Sequence, residues 1–103
     1  MFVSIRKYSD VKSRDEAMRR VEEKLVPVLR GQSGFISYYL IDFEDGDIGS
    51  VSVWGTQEDA HGAADTVRKW VTDNLSEFLP NEPTAMRGKV LVHETVRGIG
   101  QAQ

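Results

Sequence analysis

The stretch SGFISYYLIDFEDGDIGSVSVWGT, residues 33–56, decides the fold. Two runs that alternate in the manner of β-strands flank Asp45 and Gly46, a pair that tolerates the positive φ angles of tight hairpin turns. Apolar or aromatic side chains occupy both faces of this hairpin, although a small two-layer domain hides only one face of its sheet. The hairpin therefore predicts a sheet with one face against helices and the other against a second copy of the chain.

Two further runs are typical of strands. Residues 2–8 alternate Val3 and Ile5 with Ser4 and Arg6, and residues 89–96, KVLVHETV, alternate in a similar way. The intervening LPNEPTAMRG contains two prolines and predicts a connector without regular structure. The first and last strands are therefore expected at residues 2–8 and 89–96.

Helical periodicity marks two stretches between the strands. Ser13 and Glu16 have the spacing of a capping box, and apolar residues then recur at helical intervals. Pro27 lacks an N–H and is expected to loosen the helix there, and Gly31 is expected to end it. Thr56 is expected to cap a second, longer helix that carries one apolar stripe.

The order βαββαβ predicts a ferredoxin-like α+β fold, with a four-stranded antiparallel sheet and two helices on one face. Residues 1–97 are expected to form this domain, and residues 98–103 a flexible C-terminal tail. A two-residue or a four-residue hairpin loop gives the same facing, whereas a slip of one residue would swap the set on the second strand of the hairpin. The face toward the helices is predicted to carry Ile36, Tyr38, Leu40, Val51 and Val53.

The uncovered face would expose a contiguous apolar patch, which usually marks an interaction surface. A homodimer is therefore predicted, so that the sheets pair to form a dimeric α+β barrel. Its interface is expected to contain Tyr39, Ile41, Phe43 and Trp54.

Composition excludes several classes of function. Thirteen Lys and Arg against sixteen Asp and Glu give a net charge of −3 without charge blocks, which argues against nucleic-acid or anionic-membrane binding. The absence of cysteine excludes disulfides and thiolate metal sites. Neither a signal-peptide core nor a run of about 20 apolar residues is present, so a cytoplasmic protein is expected. His61 and His93 lack metal-ligand spacing, so no metal site is predicted.

Four residues are candidates for a small-molecule site. Tyr38 and Trp70 are suited to form an aromatic wall, with core packing as the alternative. His93 is suited to accept a proton near pH 7, with a hydrogen-bonded or edge-exposed side chain as the alternative. Lys7 shares a face with Val3 and Ile5, expected to be the helix side, where it would hold an anionic oxygen or else extend to water.

The βαββαβ layout, the SGF start of the second strand and the strand-to-helix junction VWGTQEDA resemble the antibiotic biosynthesis monooxygenase (ABM) group of dimeric α+β barrels. The resemblance covers residues 2–96, and its junction motif is matched by Trp54, Thr56, Glu58 and Ala60.

This resemblance implies a homodimer with sheets face to face and a pocket between sheet and helices. Some members oxidise polyketide-like phenols with O2 and no metal or flavin, some degrade haem, and many have no known activity. Ala63 stands where members often carry a His, while Lys7 and Asp73 occupy positions near an Asn and a His of the haem-degrading members. Haem degradation is therefore disfavoured.

Two hypotheses of function follow. The first is a cofactor-independent monooxygenase acting on a small aromatic or polyketide-like molecule, with Tyr38 and His93 catalytic and Trp70 and Lys7 binding the substrate. The second is a non-catalytic small-molecule-binding or regulatory homodimer. The fold alone does not choose between them.

Overall fold

A computed structural model describes residues 1–96, and its centre is a four-stranded antiparallel sheet with the strand order β2-β3-β1-β4. The strands are β1 (Phe2–Tyr8), β2 (Phe35–Asp42), β3 (Ile48–Trp54) and β4 (Thr84–Lys89). Three helices, α1 (Arg14–Arg20), α2 (Val26–Arg30) and α3 (Gln57–Leu75), pack on one face of the sheet. The predicted ferredoxin-like α+β fold is confirmed. The predicted tail, residues 98–103, lies outside the described residues.

The first helical region is continuous but not uniform. A π-helical segment, Val21–Leu25, joins α1 to α2, and the residue after each segment keeps right-handed helical angles. Pro27 has no N–H to donate to the carbonyl of Glu23, so the regular hydrogen-bond ladder is interrupted just before it. The predicted loosening at Pro27 is confirmed. The helical region ends at Arg30, immediately before Gly31.

The predicted capping box at the start of α1 is wrong. Ser13 adopts a left-handed conformation with φ 48°, and its side chain makes no capping hydrogen bond. The Glu16 carboxylate instead accepts hydrogen bonds from Arg19 and Arg20, at 2.6 and 3.1 Å. The carboxylate that would have completed the capping box is therefore hydrogen-bonded to two guanidinium groups instead of to the backbone.

The start of α3 is capped as predicted. Thr56 is extended, and its Oγ1 accepts a hydrogen bond from the Asp59 N–H at 3.1 Å. Gly34 lies against the same turn with φ 76°, and a Cβ there would lie 1.9 Å from Asp59 Oδ2. Only glycine fits this contact, which brings the start of β2 against the first turn of α3.

The hairpin between β2 and β3 has a five-residue loop, residues 43–47. The Phe43 N–H donates to the Asp47 carbonyl at 2.9 Å, and the Asp47 N–H donates to Asp45 Oδ1 at 3.0 Å. Gly46 supplies the expected positive φ, 92°. Because this number of residues is odd, β3 is displaced by an odd number of positions relative to the two- and four-residue loops expected from the sequence, and its facing is reversed.

This displacement makes the predicted facing of β3 wrong. Tyr38 pairs with Ser52, and Tyr39 pairs with Val51. The face toward the helices therefore carries Ser50, Ser52 and Trp54, and the open face carries Val51 and Val53.

The predicted facing of β1 is also wrong. Ser4 pairs with Ser52, and Ile5 pairs with Val51. The helix-covered face of β1 therefore carries Ser4, Arg6 and Tyr8, and the open face carries Val3, Ile5 and Lys7.

The core lies between the sheet and the helices. Trp54 and Leu29 are its most deeply buried large side chains, 2% and 1% exposed. The Trp54 indole N–H donates to Ser52 Oγ at 2.9 Å, and its ring meets Phe35 edge-on with centroids 5.5 Å apart. The predicted position of Trp54 at a dimer interface is therefore wrong, because its side chain points under the helices.

The last strand lies earlier in the chain than predicted. β4 is Thr84–Lys89, within the segment expected to be an irregular connector, and residues 90–96 form no strand. Lys89 pairs with Phe2, and the Val90 N–H donates to the Met1 carbonyl at 3.0 Å. The residues that follow have no residue of β1 opposite them, so residues 91–96 of the alternating segment leave the sheet.

The open face of the sheet is apolar and carries three of the residues predicted for a dimer interface. Tyr39 is 54% exposed, and Ile41 and Phe43 are half-buried. The Phe43 ring lies over Gly49, where an added Cβ would come within 2.5 Å of it. Met86 of β4 is 58% exposed. Among residues 1–96, none of the helices combines the length and the apolar character that crossing a bilayer requires.

Candidate functional site

A cavity of about 70 Å³ lies between the sheet and the helices. Polar side chains from the sheet form its floor, and aliphatic side chains from the helices form its walls. The floor includes Ser4, Arg6, Tyr8, Tyr38, Ser50 and Ser52, and the walls include Val21, Leu25, Leu29, Ala60, Ala63, Ala64 and Val67.

Small side chains on both layers create this space. Ala60, Ala63 and Ala64 of α3 lie above Ser50 and Ser52 of β3, so neither layer fills the gap. The cavity has about half of the ~150 Å³ known to accept benzene in a protein core. A ring-sized ligand therefore requires a wall to move, or it lies partly outside the cavity.

Two phenols and a guanidinium give the floor its chemistry. Burial raises the pKa of Tyr38 to about 12, while the hydroxyl of Ser50 acts in the opposite direction. Burial also raises the pKa of Tyr8, and Arg6 opposes that shift. Both phenols are therefore protonated at neutral pH, and each is available as a hydrogen-bond donor to an oxyanion.

A wider groove of about 440 Å³ adjoins the cavity. The two share Arg6, Tyr8, Val71 and Leu79 as lining residues. The outer walls of the groove come from α3, the 80–83 loop and β4, and they include Arg68, Thr72, Ser76, Asn81, Glu82, Ala85 and Arg87.

Of the predicted catalytic pair, only Tyr38 lines the cavity. His93 lies beyond β4 in the segment that leaves the sheet, and it is exposed. The strand that was expected to carry it toward the helices ends at Lys89. The structure therefore does not bring His93 and Tyr38 together.

The two predicted substrate-binding residues also lie elsewhere. Trp70 is half-buried on α3 and lines a surface groove beside Arg19 and Arg20 rather than the cavity. Lys7 lies on the open face, where its Nζ is 2.7 Å from Asp45 Oδ2 and 3.6 Å from Asp47 Oδ2. The hydrogen bond to Asp45 raises the pKa of Lys7.

Sequence reasoning missed the polar floor. Ser4, Arg6, Tyr8, Ser50 and Ser52 were assigned to the face away from the helices, because their apolar neighbours were expected to form the core. The alanines on α3 were the available signal, since a helix face of small residues leaves room above a sheet. Within residues 1–96, no group of three or more His, Asp or Glu side chains is arranged to hold a metal ion.

No known family model matches the sequence, and no curated protein matches it either. Solved structures do match the fold. A monooxygenase from the gene ActVA-Orf6 of Streptomyces coelicolor, solved with nanaomycin D, superposes with a TM-score of 0.74 at 16% identity, covering 92% of this chain and 91% of that one.

Two further structures are similar. A protein named as an antibiotic biosynthesis monooxygenase superposes with a TM-score of 0.67 at 12% identity, covering 89% of this chain and 100% of that one. NE2512 of Nitrosomonas europaea, a protein of unknown function, gives 0.73 at 12% identity, with 94% and 95% covered. At these identities the likeness concerns the fold, and the fold of this chain is that of the ABM-like proteins.

Proposed function

We propose that this chain is a cofactor-independent monooxygenase that binds a small aromatic, polyketide-like molecule between its sheet and its helices. The observation that carries the proposal is the polar floor of an otherwise apolar cavity. Apolar walls with a few convergent polar groups are the usual composition of a small-molecule site. The structural likeness to a monooxygenase solved with nanaomycin D supports the same class of ligand.

The floor is suited to holding a phenolic substrate as its oxyanion. Tyr38 stays protonated because of its raised pKa, so its hydroxyl donates to the oxyanion. The positive charge of Arg6, which lines both the cavity and the groove, favours the ionised substrate. The substrate proton leaves through the groove, where Glu82 offers a carboxylate.

An electron-rich phenolate needs no separate reductant to react with O2. In a hydroxylated anthrone, the methylene carbon gains one oxygen atom as a carbonyl, and the other oxygen leaves as water with the two hydrogens of that carbon. The substrate supplies all four electrons. The contribution of the protein is to favour the anion and to exclude bulk water from it.

The proposal includes a homodimer formed through the open face. Valine and isoleucine side chains alternate toward this face on β1 and β3, while the serines of the same strands face the helices. Burying each large apolar side chain contributes about 1.5–3 kcal/mol. A second copy offers a matching apolar surface, because a two-fold interface is self-complementary.

A non-catalytic binding protein is the second candidate. Among the described residues, the lining of the cavity contains no histidine, aspartate or glutamate. No side chain there is a general base near pH 7, since both phenols have raised pKa values. A protein that only binds the same aromatic molecule requires no such base.

The test uses a dihydroxyanthrone as the probe. Native mass spectrometry measures its binding, and an oxygen electrode with visible absorbance measures its conversion to the quinone above autoxidation. A monooxygenase consumes one O2 per quinone formed, and Tyr38→Phe lowers the rate. Binding without O2 uptake supports the non-catalytic candidate, and the absence of both contradicts the two candidates together.

A further inference from the structure

The groove beside the cavity exists because the helices do not cover the whole sheet. β4 is an edge strand, and α3 packs over β1 and β3. The helix-side face of β4 is therefore open along Ala85 and Arg87, both of which line the groove. A molecule seated in the cavity reaches solvent on this side.

The charge of the groove is opposite to that of the chain. Arg6, Arg68 and Arg87 line it against a single carboxylate, Glu82, in a protein of net charge −3. Arg68 has a partner, Asp65 Oδ1 at 2.7 Å, on the exposed surface of α3. Within residues 1–96, neither Arg6 nor Arg87 forms an ion pair.

Arg6 and Arg87 are placed to act on one group. Arg6 of β1 pairs with Ala85 of β4, so Arg87 is its diagonal neighbour on the same face. Diagonal neighbours in an antiparallel pair are about 7–8 Å apart. At this spacing, two arginine side chains are long enough to contact the same group. Guanidinium groups bind carboxylates and similar anions through paired, charge-assisted hydrogen bonds.

From this arrangement we infer that the ligand is an aromatic acid: its ring lies toward the cavity, and its anionic substituent is held at the groove by Arg6 and Arg87. The inference rests on the proposed function, because it takes the cavity as the ligand site, and it names the class of molecule. Arg6 lies at the junction of cavity and groove, which fixes the anionic group next to the ring.

A matched pair of fluorescent probes distinguishes the contribution of the aromatic ring to binding from that of the negative charge. Anilinonaphthalene sulfonate carries an aromatic body with an anionic group, and phenylnaphthylamine carries the same body without it. We expect the anionic probe to bind the unmodified protein about tenfold more tightly than the neutral one. Added salt is expected to weaken only the anionic probe.

Variants assign the charge to its residues. Arg6→Gln and Arg87→Gln are each expected to lower the affinity for the anionic probe about tenfold and to leave the affinity for the neutral probe unchanged. Lys7→Gln is the matched control, because it removes the same charge from the next residue of β1, which points to the opposite face. It is expected to leave both probes unchanged.

A second set of variants tests whether the cavity is the site. Ala64→Phe and Val67→Phe each fill the cavity from α3, and both are expected to weaken the two probes equally. Thermal melting checks that each variant is folded, and either one alone suffices if the other does not fold.

The outcomes distinguish the two proposals. Equal binding of both probes, unaffected by the arginine variants but lost in the cavity variants, overturns the aromatic acid and leaves the cavity as a ligand site. Failure of both probes to bind, or binding that the cavity variants do not change, overturns the proposed function as well. The expected pattern, with a charge-dependent loss at Arg6 and Arg87 only, supports both.

Discussion

The two faces of the sheet differ in the opposite sense from that expected of a two-layer protein. The face under the helices carries serines, an arginine and tyrosines at its centre, whereas the open face carries valines and isoleucines. In a monomer built only for stability, the apolar set would lie under the helices. This difference supports the proposed ligand site on the covered face and the proposed dimer contact on the open face.

The largest expected effect comes from placing a charge on the open face. Val51→Asp puts a carboxylate at the centre of the proposed dimer interface. An unpaired buried charge costs about 3–5 kcal/mol, so dimerisation is expected to weaken by more than about a hundredfold. Sedimentation should then report the 11.6 kDa chain instead of twice that mass.

Thr66→Asp is the control for this substitution, because it adds the same charge at an exposed position of α3. It is expected to leave the dimer intact. A dimer that survives Val51→Asp, or an unmodified protein that is monomeric at micromolar concentration, would remove the proposed role of the open face.

The next effect tests the covered face where it is well packed. Trp54→Ala removes the largest of the most deeply buried side chains and is expected to lower the free energy of unfolding by about 3–5 kcal/mol. Urea denaturation measures this loss. A cost below 1 kcal/mol, on the order of an exposed side chain, would contradict the burial of Trp54 under the helices.

A pH series examines the polar floor. Because the pKa of Tyr38 is about 12 in the folded chain and 10.0 in the unfolded reference, its contribution to stability is fully present below pH 10. It is lost as pH rises through 12, because the unfolded chain releases the proton first, and the loss amounts to about 2–3 kcal/mol. Urea denaturation between pH 8 and pH 12 measures it.

Tyr38→Phe is expected to reduce the loss of stability over this pH range, and the remaining loss includes the contribution of Tyr8, whose pKa burial also raises. Tyr39→Phe, which removes the neighbouring phenol from the open face, controls for the loss of a tyrosine. If both variants follow the unmodified protein across the alkaline range, Tyr38 is not buried in the way described.

The smallest effect concerns Lys7, at the polar end of the open face. Its ion pairs with Asp45 and Asp47 are solvent-exposed, and exposed pairs contribute about 0–1 kcal/mol. Lys7→Gln is therefore expected to change the free energy of unfolding by less than about 1 kcal/mol. A larger loss in urea denaturation, one that disappears on dilution to monomer, would place Lys7 within the dimer contact.

Local patterns predicted the fold because they coincide with its regular elements. The alternation in residues 2–8, the Asp45-Gly46 turn and the Thr56 cap each depend on neighbours in sequence. The length of the hairpin loop does not, because Asp45 and Gly46 fit loops of several lengths. An odd instead of an even number of loop residues then determined which side chains of β3 face the helices.

The candidate site was harder to predict, because the apolar neighbours of its polar residues were expected to form the core. Tyr38 was identified because β2 keeps the expected facing beyond its bulge at Ile36, which was predicted to face the helices but is 49% exposed. Arg6 and Ser50 were assigned to the wrong side. β4 was missed because TAMRGK has a weak strand pattern, and its pairing with β1 is a tertiary contact. Because the last strand was expected at residues 89–96, Arg87 was overlooked and His93 was favoured as a catalytic residue.

The π-helical turn at Val21–Leu25 affects how relatives of this chain should be aligned. A turn of this kind accommodates one residue more than an α-helix of the same length, and each residue rotates the helix by about 100°. A relative with an uninterrupted helix is therefore expected to show a one-residue gap between positions 21 and 25. An alignment without that gap would superimpose Val21 correctly and shift every residue from Leu25 to Arg30 onto the wrong neighbour.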